Sequence, residues 1–260
     1  MNRALYFIRI LALLFAALPA SFAIAQTTKP EMVIHCGITM VRPITELARI
    51  FEQRENVKFT IAQGGSEDLY QSARKTGMGD LYLPGESSYY YDHLKEGLFG
   101  PHVVVGHNRM ALMVRKGNPK GIKGDTRELL RRDIVVALGN AESGSVGKET
   151  KQILDATGLY PKAVRNAAFL SPDSRSLALA LKRGEADVAP NWRAVGFFPD
   201  HASVLDVIDL DPAVARPQPL MLILLKSSRQ PEMTQRFMAL ASGPEGQAIF
   251  RKHGFLDERR

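Results

Sequence analysis

Cysteine is nearly absent from this sequence, and clusters of like charge and sets of histidine at metal-ligand spacing are missing. The 260 residues include a single cysteine, Cys36, so the chain cannot form an internal disulfide. With 45% hydrophobic and 23% charged residues, the composition is that of a folded protein, not of a disordered or collagenous one. A chain of this length forms either one large domain or two medium ones.

The charge balance raises the question of an anionic partner. Basic residues exceed acidic residues by 34 to 27, which gives a net charge of +7 and a sequence pI near 9.5. There is, however, no run of five like charges, no alternation of arginine with aromatic residues and no recognisable nucleic-acid motif. We therefore predict no nucleic-acid partner. The six histidines show no metal spacing, and no metal or cofactor is predicted.

The first 25 residues have the pattern of a secretory signal peptide. They carry two arginines and no acid, then an apolar run that Pro19 ends, and finish in Ala23-Ile24-Ala25. A transmembrane anchor is the alternative, but the run is short for a bilayer span of about 20 residues. Cleavage leaves 235 residues, and the loss of Arg3 and Arg9 lowers the net charge from +7 to +5. We predict a soluble periplasmic protein.

Strand and helix patterns alternate along the rest of the chain. Apolar strand candidates at 32–36, 57–62 and 80–83 are each followed by a turn and an amphipathic helix, and the alternation resumes from about residue 134. Such alternation predicts mostly parallel sheets flanked by helices. We predict an α/β fold of two lobes. Residues 26–111 and 216–260 form lobe 1, and residues 112–215 form lobe 2, which is inserted in lobe 1, so that the chain crosses between the lobes twice.

Four predicted strand-to-helix turns are rich in glycine and hydroxyl residues. They are Gly37-Ile38-Thr39, Gly64-Gly65-Ser66, Ser143-Gly144-Ser145 and Ser171-Pro172-Asp173-Ser174. Each exposes helix-start amides, which together with the helix dipole can hold an anion beyond the carboxyl ends of the strands. A single such turn is usually an ordinary helix cap. Two in each lobe indicate an anion site between the lobes.

Several segments, in order, carry a resemblance to a known family. They are Val33-Ile34-His35-Cys36-Gly37-Ile38-Thr39, Gly64-Gly65-Ser66, Gly79-Asp80-Leu81-Tyr82-Leu83-Pro84-Gly85, Arg115-Lys116-Gly117-Asn118-Pro119, Leu138-Gly139-Asn140, Arg183-Gly184-Glu185-Ala186-Asp187 and Phe250-Arg251-Lys252-His253-Gly254-Phe255. In them the chain resembles the periplasmic molybdate-binding proteins of ABC importers. The resemblance implies a type II periplasmic binding fold with a two-stranded hinge that closes on an oxyanion.

The ligand turns depart from that family's pattern. Ile38 stands where the family has a hydroxyl ligand, with Thr39 one place later; the third turn reads Gly144-Ser145-Val146-Gly147 in place of Val-Pro-Ala-Gly; and the family's ligand-contacting tyrosine aligns with Trp192. These departures leave the identity of the anion open, and oxyanion binding remains the prediction. The predicted ligand-binding residues are Thr39, Gly65, Ser66, Ser145, Val146, Ser174, Arg175 and Trp192. Arg42 and Arg193 are further candidates, since guanidinium groups pair with carboxylate or phosphate.

Three functional hypotheses follow. The first is a monomeric periplasmic solute-binding protein that delivers a small oxyanion, similar to molybdate or tungstate, to an ABC permease. The second is a sensor of a phosphate-, sulfate- or carboxylate-like anion that docks a membrane signalling receptor. The third is a hydrolase that uses a thiol or hydroxyl, with His35-Cys36 as its best candidate. Adjacent strand residues point to opposite faces, so that pair is poorly placed as a dyad, and no enzyme is predicted.

Overall fold

A computed structural model of the protein describes residues 29–256; the predicted signal peptide lies outside the described residues. The elements in chain order are β1 (Glu31–Gly37), α1 (Val41–Glu55), β2 (Lys58–Gly64), α2 (Ser66–Thr76), β3 (Leu81–Leu83), α3 (Ser88–His93), β4 (Phe99–Asn108), β5 (Met110–Arg115), β6 (Ala137–Gly139), α4 (Ser145–Asp155), α5 (Tyr160–Asn166), β7 (Phe169–Ser171), α6 (Ser174–Arg183), β8 (Val188–Trp192), α7 (Pro199–Ala202), β9 (Leu205–Asp209), β10 (Gln218–Leu225), α8 (Pro231–Ser242) and α9 (Pro244–Lys252). Among these helices none is long and apolar enough to cross a bilayer.

The first sheet has the strand order β2-β1-β3-β10-β4. Strand β1 pairs in parallel with β2 and β3, whereas β10 runs antiparallel to β3 and β4. The carboxyl ends of β1, β2 and β3 therefore lie at one edge. Helix α1 packs one face on this sheet because its apolar residues recur at helical spacing, at Ile44, Leu47, Ala48 and Phe51.

The second sheet repeats the arrangement of the first. Strand β5 pairs antiparallel with β8 and β9, strand β6 pairs in parallel with β7, and a parallel bridge from Val136 to Val188 joins the two groups. The resulting order is β7-β6-β8-β5-β9, so each sheet has one strand running against the others. The sheets have separate cores: Leu112, Leu138 and Leu177 lie in the second, Ile34 and Leu222 in the first.

The chain passes between the sheets after β4 and again between β9 and β10. Strand β5, which begins at Met110, pairs within the second sheet. The division of the chain at residues 111/112 and 215/216 stays a prediction of the sequence. Helices α5 and α7 were not predicted, because seven and four residues are too few to show a helical period.

Candidate ligand-binding site

The starts of four helical segments meet at one cavity between the two sheets. We call it the anion cavity. From the first sheet come a short 3₁₀ turn, Ile38–Met40, that leads into α1, and the start of α2; from the second come the starts of α4 and α6. The lining residues are Gly37, Ile38, Thr39, Met40, Gly64, Gly65, Ser66, Gly85, Gly144, Ser145, Val146, Asp173 and Ser174.

Helix geometry leaves amide donors at these positions. The first bond from a helical amide back to the residue four earlier begins at Leu69 in α2, at Lys148 in α4 and at Leu177 in α6. The amides before those residues have no backbone acceptor within their own helices, although the Ser176 amide donates to the Asp173 carboxylate at 2.8 Å, which caps α6. Three helices of ten or eleven residues thus present amides and the positive ends of their dipoles to the cavity.

Two serine hydroxyls are oriented by donors behind them. The Oγ of Ser66 accepts a hydrogen bond from the Gly85 amide at 3.0 Å, and the Oγ of Ser145 accepts one from the Trp192 indole Nε1 at 3.2 Å. Because each oxygen already accepts a bond, its own proton remains available to a further acceptor. Both serines are buried. They are therefore suited to donate to an anion.

A pair of hydroxyls, distinct from those of Ser66 and Ser145, joins the two sides of the cleft. The Oγ1 of Thr39 and the Oγ of Ser174 lie 2.9 Å apart, and both side chains are buried. The space enclosed in this conformation is about 10 Å³, close to the requirement of one water molecule. This volume is too small for a ligand of several heavy atoms while the hydroxyl pair is closed.

Glycines permit this close approach of the two sides. A Cβ at Gly65 would lie 2.4 Å from the carbonyl oxygen of Ser143, and one at Gly85 would lie 2.1 Å from the Oγ of Ser145. Both contacts cross from the first lobe to the second. Gly85 follows β3 in a Pro-Gly turn that belongs to one of the segments carrying the resemblance, but it was not among the predicted ligand-binding residues.

The predicted site residues fall into three groups in the structure. Six line the anion cavity: Thr39, Gly65, Ser66, Ser145, Val146 and Ser174. Trp192 is fully buried at the end of β8 and contacts the cavity through Ser145. Arg175 lies beside the cavity, where its guanidinium donates to the Gln63 side chain across the cleft at 3.1 Å.

The two other candidate arginines are each held in an ion pair. Arg42 forms an ion pair with Asp200 at 2.5 Å and stacks over Phe198. Arg193 forms an ion pair with Asp209 at 2.8 Å, and its guanidinium stacks over Phe197. Neither arginine belongs to the set of described residues that lines the anion cavity.

A carboxylate cluster that the sequence analysis missed lies one helical turn along α4 from Ser145. Glu86 and Glu149 are 1% and 3% exposed, and Glu149 accepts a bond from Gln218 at 3.2 Å. Burial, and then the charge of Glu86, raises the pKa of Glu149 to about 7; burial also raises the pKa of Glu86. Lys148 lies 2.7 Å from Asp92 and 3.9 Å from Glu86. The sequence shows Glu149 only as an acidic residue near the start of α4, beside Lys148, and gives no sign that Glu86 lies close to it.

Cys36 belongs to the core of the first sheet, not to the cavity. It is fully buried among apolar side chains, its thiol contacts the Gly37 carbonyl at 3.5 Å, and burial raises its pKa far above the usual range. The ring of His35 bonds instead to the Met78 carbonyl. A protonated, enclosed thiol is a poor nucleophile.

The architecture and the interlobe cavity are those of a two-lobed solute-binding protein. The chain belongs to the bacterial extracellular solute-binding protein family, whose pattern matches residues 32–256. It is 24% identical over 245 residues to the molybdate-binding protein ModA of Mycobacterium bovis, which covers 86% of this chain and 84% of that protein. This membership identifies a solute-binding protein of ABC import rather than an enzyme and removes the hydrolase hypothesis.

Two solved structures share the fold at low identity. The periplasmic molybdate-binding protein of Azotobacter vinelandii superposes with a TM-score of 0.70 at 15% identity, over 86% of this chain and 98% of that one. The sulfate-binding protein SubI of Mycobacterium tuberculosis gives 0.75 at 14% identity, over 88% of each chain. These likenesses confirm the predicted type II periplasmic binding fold.

Proposed function

We propose that the protein captures a small tetrahedral oxyanion of the molybdate or tungstate type between its lobes and delivers it to an ABC permease. The single observation that carries this proposal is the meeting of helix starts from both lobes at the anion cavity, with the buried hydroxyls of Ser66 and Ser145 free to donate. An import role follows from the family. The distant relative ModA of M. bovis supports molybdate as the first anion to test.

Uncharged donors suit this task. A buried ion pair requires both charges to be desolvated, whereas amides and hydroxyls surround an anion with donors fixed in place by the fold. Because both lobes contribute, the full donor set forms only when the lobes close. The permease then recognises the closed, ligand-bound conformation.

The ligand class is tested by thermal denaturation of the mature protein with molybdate, tungstate, sulfate, phosphate and small carboxylates. A ligand that binds only the native state raises the melting temperature by mass action. We expect at least one tetrahedral anion to do so and carboxylates to give less. If no tetrahedral anion shifts the transition, the proposal fails.

The site is tested by serine substitutions. Ser66→Ala and Ser145→Ala should each weaken the anion that responds by roughly 1 to 3 kcal/mol, the cost of losing a buried donor to a charged group. Ser72→Ala is the matched control, because Ser72 lies on the same helix as Ser66 but faces solvent. Equal affinity in all three variants, measured by titration calorimetry, would place the site elsewhere.

A further inference from the structure

A second and larger space adjoins the anion cavity in the cleft. We call it the flanking chamber. It measures about 230 Å³, far more than the anion cavity, and both spaces share the walls formed by Ile38, Thr39 and Ser174. The hydroxyl pair of Thr39 and Ser174 therefore forms the partition between them. Once this pair opens, a ligand whose head group occupies the anion cavity has room to extend into the flanking chamber.

The walls of the flanking chamber are partly apolar. Val41 and Ile38 come from the first lobe, and Val195 and Phe198 from the segment after β8 in the second. A bare tetrahedral oxyanion has no apolar atoms to place against such walls. Their burial by a ligand would contribute favourably only if the ligand carries carbon.

The charged groups of the chamber leave a positive excess. Arg42 is neutralised by Asp200 at 2.5 Å and stacks over Phe198. Among residues 29–256, Arg175 bonds only to the uncharged side chain of Gln63. Two guanidinium groups thus face the chamber with one carboxylate. A guanidinium without an acidic partner is suited to bind a carboxylate in two-pronged fashion.

We propose that the same site also accepts organic oxyanions that have a tetrahedral head group in the anion cavity, joined to a short carbon segment in the flanking chamber that ends in a second acidic group near Arg175. This inference rests on the proposed function, because it uses the anion cavity for the head group. The ligand class is short phosphorylated or phosphonylated organic acids, which a site for a bare tetrahedral anion would not prefer over that anion.

The test compares four probes by titration calorimetry: inorganic phosphate, molybdate, methyl phosphate and 2-phosphoglycolate. Methyl phosphate adds carbon without a second acid, and 2-phosphoglycolate adds both. We expect 2-phosphoglycolate to bind at least about tenfold more tightly than methyl phosphate, as a charge-assisted contact with Arg175 implies. Methyl phosphate should bind at least as tightly as phosphate.

Three variants assign any preference to the chamber. Val41→Phe fills the chamber from a position outside the anion cavity, and Val41→Ala is the control that enlarges it. The larger side chain should lower the affinity for 2-phosphoglycolate by about tenfold and leave phosphate within about twofold, because overpacking acts only on the part of the ligand that meets it. Arg175→Gln, at an exposed position, should reduce the preference for 2-phosphoglycolate over methyl phosphate.

The outcomes separate this inference from the proposed function. If phosphate or molybdate binds and 2-phosphoglycolate shows no gain in affinity, the proposed role of the flanking chamber is overturned, while the proposed oxyanion site is supported. Equal loss of all probes in Val41→Phe, with wild-type behaviour in Val41→Ala, also overturns the chamber. Absence of binding by every probe overturns both.

Discussion

The anion cavity and the carboxylate cluster lie one turn apart on α4 but treat charge in opposite ways. Around the cavity, Gly85 and Trp192 orient the hydroxyls of Ser66 and Ser145, helix starts supply positive potential, and the one acidic residue among the described lining residues, Asp173, caps α6. In the cluster, Glu86 and Glu149 are buried near each other, which favours protonation. The net charge of +7 therefore predicts neither the affinity of this cleft for an anion nor its response to pH.

The largest expected effect concerns closure of the anion cavity. Gly65→Ala places a Cβ 2.4 Å from the Ser143 carbonyl oxygen across the cleft. The φ of Gly65 itself, −66°, suits any residue, so the contact and not backbone strain causes the effect. Overpacking a close contact costs typically 1 to 3 kcal/mol, so affinity for the anion should fall by roughly 10- to 100-fold. The melting temperature without ligand should change little, since the open form avoids the contact.

Gly106→Ala is the control for this prediction, because Gly106 does not line the anion cavity. A Cβ at Gly106 would meet the Phe250 side chain at 3.4 Å, a contact within the first lobe. Affinity in this variant should stay near the wild-type value. If Gly106→Ala and Gly65→Ala weaken binding alike, the contact between the lobes at Gly65 does not explain the loss.

A smaller effect is expected from the carboxylate cluster. Because the pKa of Glu149 in the folded state, about 7, exceeds the ordinary value of 4.5, the folded protein binds this proton more tightly than the unfolded chain. The free energy of unfolding should therefore fall as pH rises from about 4.5 to 7, by up to roughly 3 kcal/mol for this group. Glu149→Gln should flatten that fall, as measured by urea unfolding at pH 5 and pH 8.

Glu142→Gln provides the comparison for Glu149→Gln. Glu142 is an exposed acid shortly before the same helix, so its neutralisation changes the net charge equally without touching the buried pair. Its stability should follow the wild-type pH profile. A profile for Glu149→Gln that is as steep as the wild type would show that Glu149 does not carry the effect.

Much of the fold could be predicted because the strands are short apolar segments separated by glycine- and serine-rich turns. The turns that precede α2, α4 and α6 were predicted, since glycine and hydroxyl residues interrupt the strands there; α4 begins at Ser145, three residues before the predicted start at Lys148. The contact of Gly85 with Ser145, the flanking chamber and the meeting of Glu86 with Glu149 were not predictable. Each joins residues of different lobes, and hydrophobic periodicity describes one segment at a time.

The resemblance placed Trp192 at a ligand position, and the structure shows the indole behind Ser145. A sequence pattern does not distinguish a residue that contacts the ligand from one that orients a ligand-binding side chain. The hydrogen bond from Nε1 of Trp192 to Ser145 supports the second role.

The most direct test of the account uses this same residue. Trp192 is the single tryptophan of the chain and bonds to Ser145 in the cleft, so its fluorescence reports on the cavity without a label. Titration with molybdate, tungstate, sulfate and phosphate should give, for at least one of them, a saturable change at one anion per protein that Gly65→Ala weakens. A folded protein whose emission responds to none of these anions would contradict the central claim that a small oxyanion is bound between the lobes.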